Sequence, residues 1–138
     1  MKGSLKIELN ETDKNLVLFK TKIDNGIDLY INEKKINILQ YKNEYNICYN
    51  FKNDGIYNFE IVFNVTMNDL TSFFENNNNL IYVDLSNFDS SNLINISFMF
   101  NGCSKLRNIF GMEKFITSKV KYGINVSIML FIRIFRFI

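Results

Sequence analysis

Three aspartates, Asp69, Asp84 and Asp89, and two cysteines, Cys48 and Cys103, are the residues here with types suited to acid–base, metal or thiol chemistry. Calcium needs about six to eight converging oxygens. These aspartates instead recur at surface and turn positions of polar segments, so no metal is expected of them. Histidine is absent. That removes the usual general base, the usual partner in a nucleophilic triad and the commonest zinc ligand. Two cysteines cannot build a disulfide framework or a four-cysteine metal site. Both read as buried thiols packing as small hydrophobes, with a single bridge or one reactive thiol as the alternatives. Lys34 and Lys35 read as part of a solvated tight turn formed with Glu33. Neither a phosphate loop nor a nucleophile motif is present. The expectation is no catalysis, no metal and no cofactor.

Composition narrows the class further. The chain has 138 residues, enough for one domain with a modest core. A net charge of +2 creates no field able to hold nucleic acid or an anionic membrane. Pro, Trp and Ala are missing, while Asn, Ile, Lys, Phe and Tyr abound. That bias follows AT-rich codons, so residues 76–79, a run of asparagines, read as a loop. The first six residues lack the apolar run of a secretory signal. Sequons at Asn10, Asn64, Asn95 and Asn125 are expected by chance in such a composition.

Residues 1–66 read as strands. Residues 16–21 are β-prone, and residues 27–32 alternate apolar and polar side chains, the period of a half-buried strand. Asn25-Gly26 between them predicts a hairpin, since both residues tolerate positive φ. Residues 45–51 and 56–63, separated by Asn53-Asp54-Gly55, predict a second hairpin. Ile36 and Ile38 are expected to start another strand.

Beyond residue 66 the pattern changes to self-similarity at a fixed spacing. Leu70, Phe73, Phe74, Leu80 and Val83 recur as Ile96, Met99, Phe100, Leu106 and Ile109, each pair 26 residues apart. In Leu80-x-x-Val83-x-Leu85 the apolar side chains point into a shared core, and Phe88 turns inward after them. Leu93, Ile96, Met99 and Phe100 follow at intervals of three and four, which predicts a short helix. Cys103 is a small buried residue beside Gly102. One such unit cannot bury its own face and needs neighbours.

Residues 83–93, Val-Asp-Leu-Ser-Asn-Phe-Asp-Ser-Ser-Asn-Leu, followed by Met99-Phe100-Asn101-Gly102-Cys103-Ser104-Lys105-Leu106, closely resemble the BspA-like leucine-rich repeat. That class occurs in bacterial and mycoplasma surface proteins and in microbial eukaryotes. The match is specific over about 35 residues and weaker over residues 66–80, where Asn77 stands in place of the expected Cys. Residues 111–120 look like the start of a further repeat, one residue longer. The resemblance implies surface adhesion or protein binding, with cell-surface location in some members, and supplies no catalytic residue.

The expected fold is therefore α+β. A small antiparallel β-sheet, residues 1–66, forms an N-terminal cap, followed by one to two β-α leucine-rich-repeat solenoid turns in residues 67–121. On the repeat strands Tyr82, Asp84 and Ser86, and one unit on Asn108 and Phe110, point away from the core. They are the candidate protein-binding residues, with Phe110 and Tyr82 as the aromatic anchor. Plain solvated surface is the alternative for them.

Residues 122–138 break the pattern. Shifting the reading frame by one base lets this stretch encode Met-Glu-Leu-Met-Phe-Gln, a Cys in register, and then E-x-L-D-L. The expectation is an out-of-frame tail on a longer repeat ancestor, which the coding DNA decides. A non-functional truncated fragment is then one alternative function. The apolar tail also permits a membrane-surface association or a buried capping strand. At fourteen mostly apolar residues with Arg133 and Arg136 inside, it is short of the ~20 needed to cross a bilayer.

Overall fold

The computed structural model describes residues 3–11, 15–23, 25–111 and 118–123, with side chains from residue 16 onward. Apart from Tyr122 and Gly123, the tail and its shifted-frame reading lie outside the described residues, as do sequon residues Asn125 and the side chain of Asn10.

Six strands form one sheet in the order β4 (Lys34–Ile36), β3 (Ile27–Ile31), β7 (Gly55–Phe63), β1 (Gly3–Glu11), β8 (Leu80–Asp84) and β9 (Asn108–Phe110). A second sheet holds β2 (Asn15–Lys20), β6 (Asn46–Asn50) and β5 (Lys42–Asn43). All pairings are antiparallel except β8 with β9. Alternation places Ile27, Leu29 and Ile31 of β3 in the core, with Phe59, Ile61 and Phe63 of β7 beside them. The buried apolar residues form one continuous cluster from Leu18 to Phe100. Since β1 pairs with both β7 and β8, the larger sheet runs across residue 66 without interruption.

Neither expected hairpin forms. β2 pairs with β6, and β3 pairs with β4 and β7. β6 and β7 likewise belong to different sheets. The segments joining them cross from one sheet to the other. Packing decides this. Phe19 of β2 stacks on Phe73 with centroids 5.0 Å apart, and the Lys20 amide donates to the Phe73 carbonyl at 2.8 Å. β2 is thereby committed to residues far along the chain. Gly26 keeps its positive φ of 90°, but its use is a close approach. A Cβ there would collide with Val65, and its carbonyl accepts from the Asn64 amide at 2.7 Å. A tight hairpin joins β3 to β4 through Asn32 and Glu33, with φ of 46° and 70°. Positive φ at both residues is what a type I′ turn requires. Lys34 and Lys35 therefore lie in a strand, with Lys35 bonded to Asp28 at 3.1 Å, and Ile38 begins a 3-10 turn, Ile38–Tyr41.

The α+β expectation is overturned. Among the described residues there is no α-helix, and the chain is nearly all β. The arm holding Leu93, Ile96, Met99 and Phe100 runs as successive turns and does not build a β-α repeat turn. Its hydrogen bonds give the reason. The amides of Leu70, Ser72, Phe74 and Asn76 donate to the carbonyls of Asn95, Ser97, Met99 and Asn101 at 2.7–2.9 Å. The amides between them, Phe73, Glu75 and Asn77, donate three residues back, to Leu70, Ser72 and Phe74. Every second amide thus leaves its own segment, which a helix cannot allow. The third position of each turn is left-handed: Ser72 at 56° and Asn76 at 61°, then Phe98 at 58° and Gly102 at 75° one spacing later. Such turns repeat every four residues. They place apolar side chains at intervals of three and four, as a helix would.

The two segments consequently lie side by side as similar open coils. Asp69 bridges to Asn95, and Asn95 to Tyr122, all parallel. Phe74 stacks on Phe100 with centroids 5.6 Å apart at 18°. Gly102 lies so close to Asn76 that a Cβ would meet its side-chain oxygen.

Asn77 is tied to β2 by its side chain. It is 2% exposed. Its side-chain nitrogen donates to the Leu18 carbonyl at 3.1 Å and its oxygen accepts from the Asn79 amide at 3.3 Å. The β2–β6 register shifts between Val17 and Phe19, across Leu18. Asn77 reaches a carbonyl that a thiol would serve poorly. Replacing Asn77 with Cys should cost about 1–3 kcal/mol, read as a lower urea midpoint with unchanged slope. An unchanged midpoint would show that the Asn77–Leu18 bond contributes nothing.

Candidate functional site

The expected contact residues sit on the last two strands of the larger sheet. In the parallel register Tyr82 faces Asn108, Val83 faces Ile109 and Asp84 faces Phe110. Val83 is buried and Ile109 half-buried, so strand alternation turns their neighbours outward. Asn108 is exposed and Phe110 is 52% exposed, while Tyr82, Asp84 and Ser86 are half-buried. The Phe110 ring packs against the Tyr82 ring with centroids 5.1 Å apart, tilted by 47°. Tyr82 donates its hydroxyl to Asp84 at 3.5 Å, and the other Asp84 oxygen accepts from the Ser86 amide at 2.9 Å. Asp84 thus orients the aromatic pair and closes the bend after β8. Gly111 ends β9 with φ of 78°, and a Cβ there would lie 2.6 Å from the Ser86 Cα. Glycine there lets the two strand ends approach, and the Leu85 amide donates to the Phe110 carbonyl at 2.9 Å.

Beneath this face lie the expected repeat-core positions. Leu70, Phe73, Phe74, Leu80, Val83, Leu85, Phe88, Leu93, Ile96, Met99 and Phe100 are buried. Cys103, Leu106 and Ile109 are partly buried against the same cluster.

The carboxylates are occupied by turns. Asp69 accepts from the Thr71 amide at 2.8 Å and from its hydroxyl. Asp89 does the same for Ser91, at 3.1 and 2.6 Å, and Asn95 accepts from the Ser97 amide at 2.9 Å. These are Asx-type turns, and an amide oxygen performs the task as well as a carboxylate. The three aspartates do not converge, and among the described residues no group of three potential metal ligands exists.

Glu75 is the better placed acid. It takes the Lys20 ammonium at 3.4 Å and the Asn101 side-chain amide at 3.3 Å, joining β2 to both coils. Hydrogen bonding from Ser72, then from Asn101 and Lys20, holds its carboxyl below the ordinary value of 4.5. Sequence spacing gives no signal for Glu75 or Asn77, because Lys20 and Leu18 lie 55 and 59 residues away.

Both cysteines are free. The Cys103 thiol donates to the Phe74 carbonyl at 3.0 Å. Burial pushes it up to about 12, and burial also raises Cys48, by less. A thiol held protonated at neutral pH is no nucleophile. Iodoacetamide mapping of the native protein at mildly alkaline pH should find Cys48 alkylated well before Cys103. Faster labelling of Cys103 would contradict its enclosure between the coils.

The chain matches no family model, no curated protein and no solved structure.

Proposed function

We propose that this chain is a protein-binding module, without catalysis, that engages its partner through the β8–β9 face. The observation carrying this reading is Phe110, a large aromatic half in solvent on a paired strand. Single exposed apolar residues are ordinary. Phe110 differs in being braced by Tyr82, which Asp84 holds in turn, so the ring pair is ordered before any partner arrives. Pre-ordered aromatics lose little entropy on binding and dominate contact energetics. Asn108 supplies a polar rim beside them. The resemblance of residues 83–106 to the BspA-like repeat class supports the same reading, since adhesion and protein binding are what that class implies.

Panning a displayed random-peptide library against the immobilised chain tests it. Selected peptides should carry apolar or aromatic anchors. They should lose about 10-fold or more in affinity for a Tyr82→Ser, Phe110→Ser double variant, whose melting temperature stays near that of the parent. Equal affinity for the variant, or failure to select any peptide, would overturn the assignment.

A further inference from the structure

A cleft of about 420 Å³ opens between the end of β2 and the first coil, away from the β8–β9 face. Its volume falls in the ~300–1,000 Å³ range of small-molecule sites. Its deepest lining is apolar: Phe73 and Met67, both at least 95% buried, with the half-buried Ile23 beside them. The exposed outer lining carries Lys22 and Tyr45.

Charged side chains mark the cleft. Lys20 lines it too, but its ammonium is engaged by Glu75. Lys22 has no carboxylate partner among the described residues, and its Nζ lies 5.8 Å from the centre of the Tyr45 ring. A cation over an aromatic face is held in place while its outer side stays open to an anion. Asp69 is the acid in the lining. One of its oxygens is used by Thr71 in a turn that recurs at Asp89 and at Asn95. Asp69 keeps its negative charge with one oxygen fixed in that turn, and Lys22, held over the Tyr45 ring, is the cation in the lining that Glu75 does not engage.

We propose that this cleft binds a small organic carboxylate with an apolar body. The carboxylate pairs with the Lys22 ammonium, and the body lies along Phe73, Met67 and Ile23. Lys22 is exposed, so the ion pair selects the head group while the apolar body supplies most of the affinity. The apolar floor excludes small inorganic anions as the preferred ligand, because they would leave it wet.

Phenylbutyrate, phenylbutanol and phenylbutylamine share one body and differ in the head group. Titrated calorimetrically into the full chain at neutral pH, phenylbutyrate should bind saturably and about 10-fold or more tighter than the other two. Amide chemical shifts on binding should move at Lys22, Tyr45, Met67 and Phe73. Lys22→Met keeps the length of an exposed side chain and should reduce phenylbutyrate to the affinity of the alcohol. Thr66→Trp, at an exposed lining position, should abolish binding of all three. Tighter binding of the amine, no saturable binding of the carboxylate, or an unaffected Lys22→Met variant would each overturn the assignment. Peptide binding at the β8–β9 face is read in a separate experiment and stands or falls independently.

Discussion

The amides of Leu70, Ser72, Phe74 and Asn76 are satisfied by a segment 25 residues further on, and most other features of the molecule follow from that ladder. A buried amide without a partner costs about 1–3 kcal/mol, so four of them bind the coils in a single register. The register sets Phe74 on Phe100 and continues into β8 and β9, where it delivers Tyr82 beside Phe110. On its opposite side the first coil meets β2 by the same means. The Lys20 amide donates to Phe73, and Asn77 donates to Leu18. A β-strand and a run of turns can neighbour one coil interchangeably, because both present main-chain groups at its alternating positions.

The 26-residue spacing was plain in the chain because burial repeats with it. Leu70 and Ile96, Phe73 and Met99, and Phe74 and Phe100 are all buried. What the spacing hid was the backbone. Apolar residues at intervals of three and four are shared by a helix and by turns repeating every four residues. The left-handed positions decide between them, and of the four only Asn76 and Gly102 are residue types that favour one. Ser72 and Phe98 adopt positive φ without being residue types that favour it. Strand pairing failed for a related reason. Asn25-Gly26 is a good local hairpin signal, but Phe19 stacking on Phe73 outweighs it. Contacts of that range leave no local trace. The positions of Tyr82, Asp84, Ser86, Asn108 and Phe110 were read from the Leu80-x-x-Val83-x-Leu85 repeat frame, whereas Lys22, Tyr45 and Met67 meet only through tertiary packing.

Most groups with chemical potential are spent on architecture. Asp69 and Asp89 close turns, Asp84 closes a bend, Glu75 ties β2 to both coils, and the Cys103 thiol is bonded between them. The side chains left for interaction are aromatic or cationic. Phe110 stands out on an ordered strand, and Lys22 over a ring.

The ladder also governs how the chain can be made. A helix closes its first hydrogen bonds once a few residues have left the ribosome. The first coil here has half its amides addressed to residues not yet synthesised, and β1 waits longer still, for β7 and then β8. At roughly 5–20 residues per second, the nascent first coil stays open for a second or more. During that interval Phe74 lacks the Phe100 ring that stacks on it, and the young polypeptide must be sheltered or stay dilute until its second coil arrives.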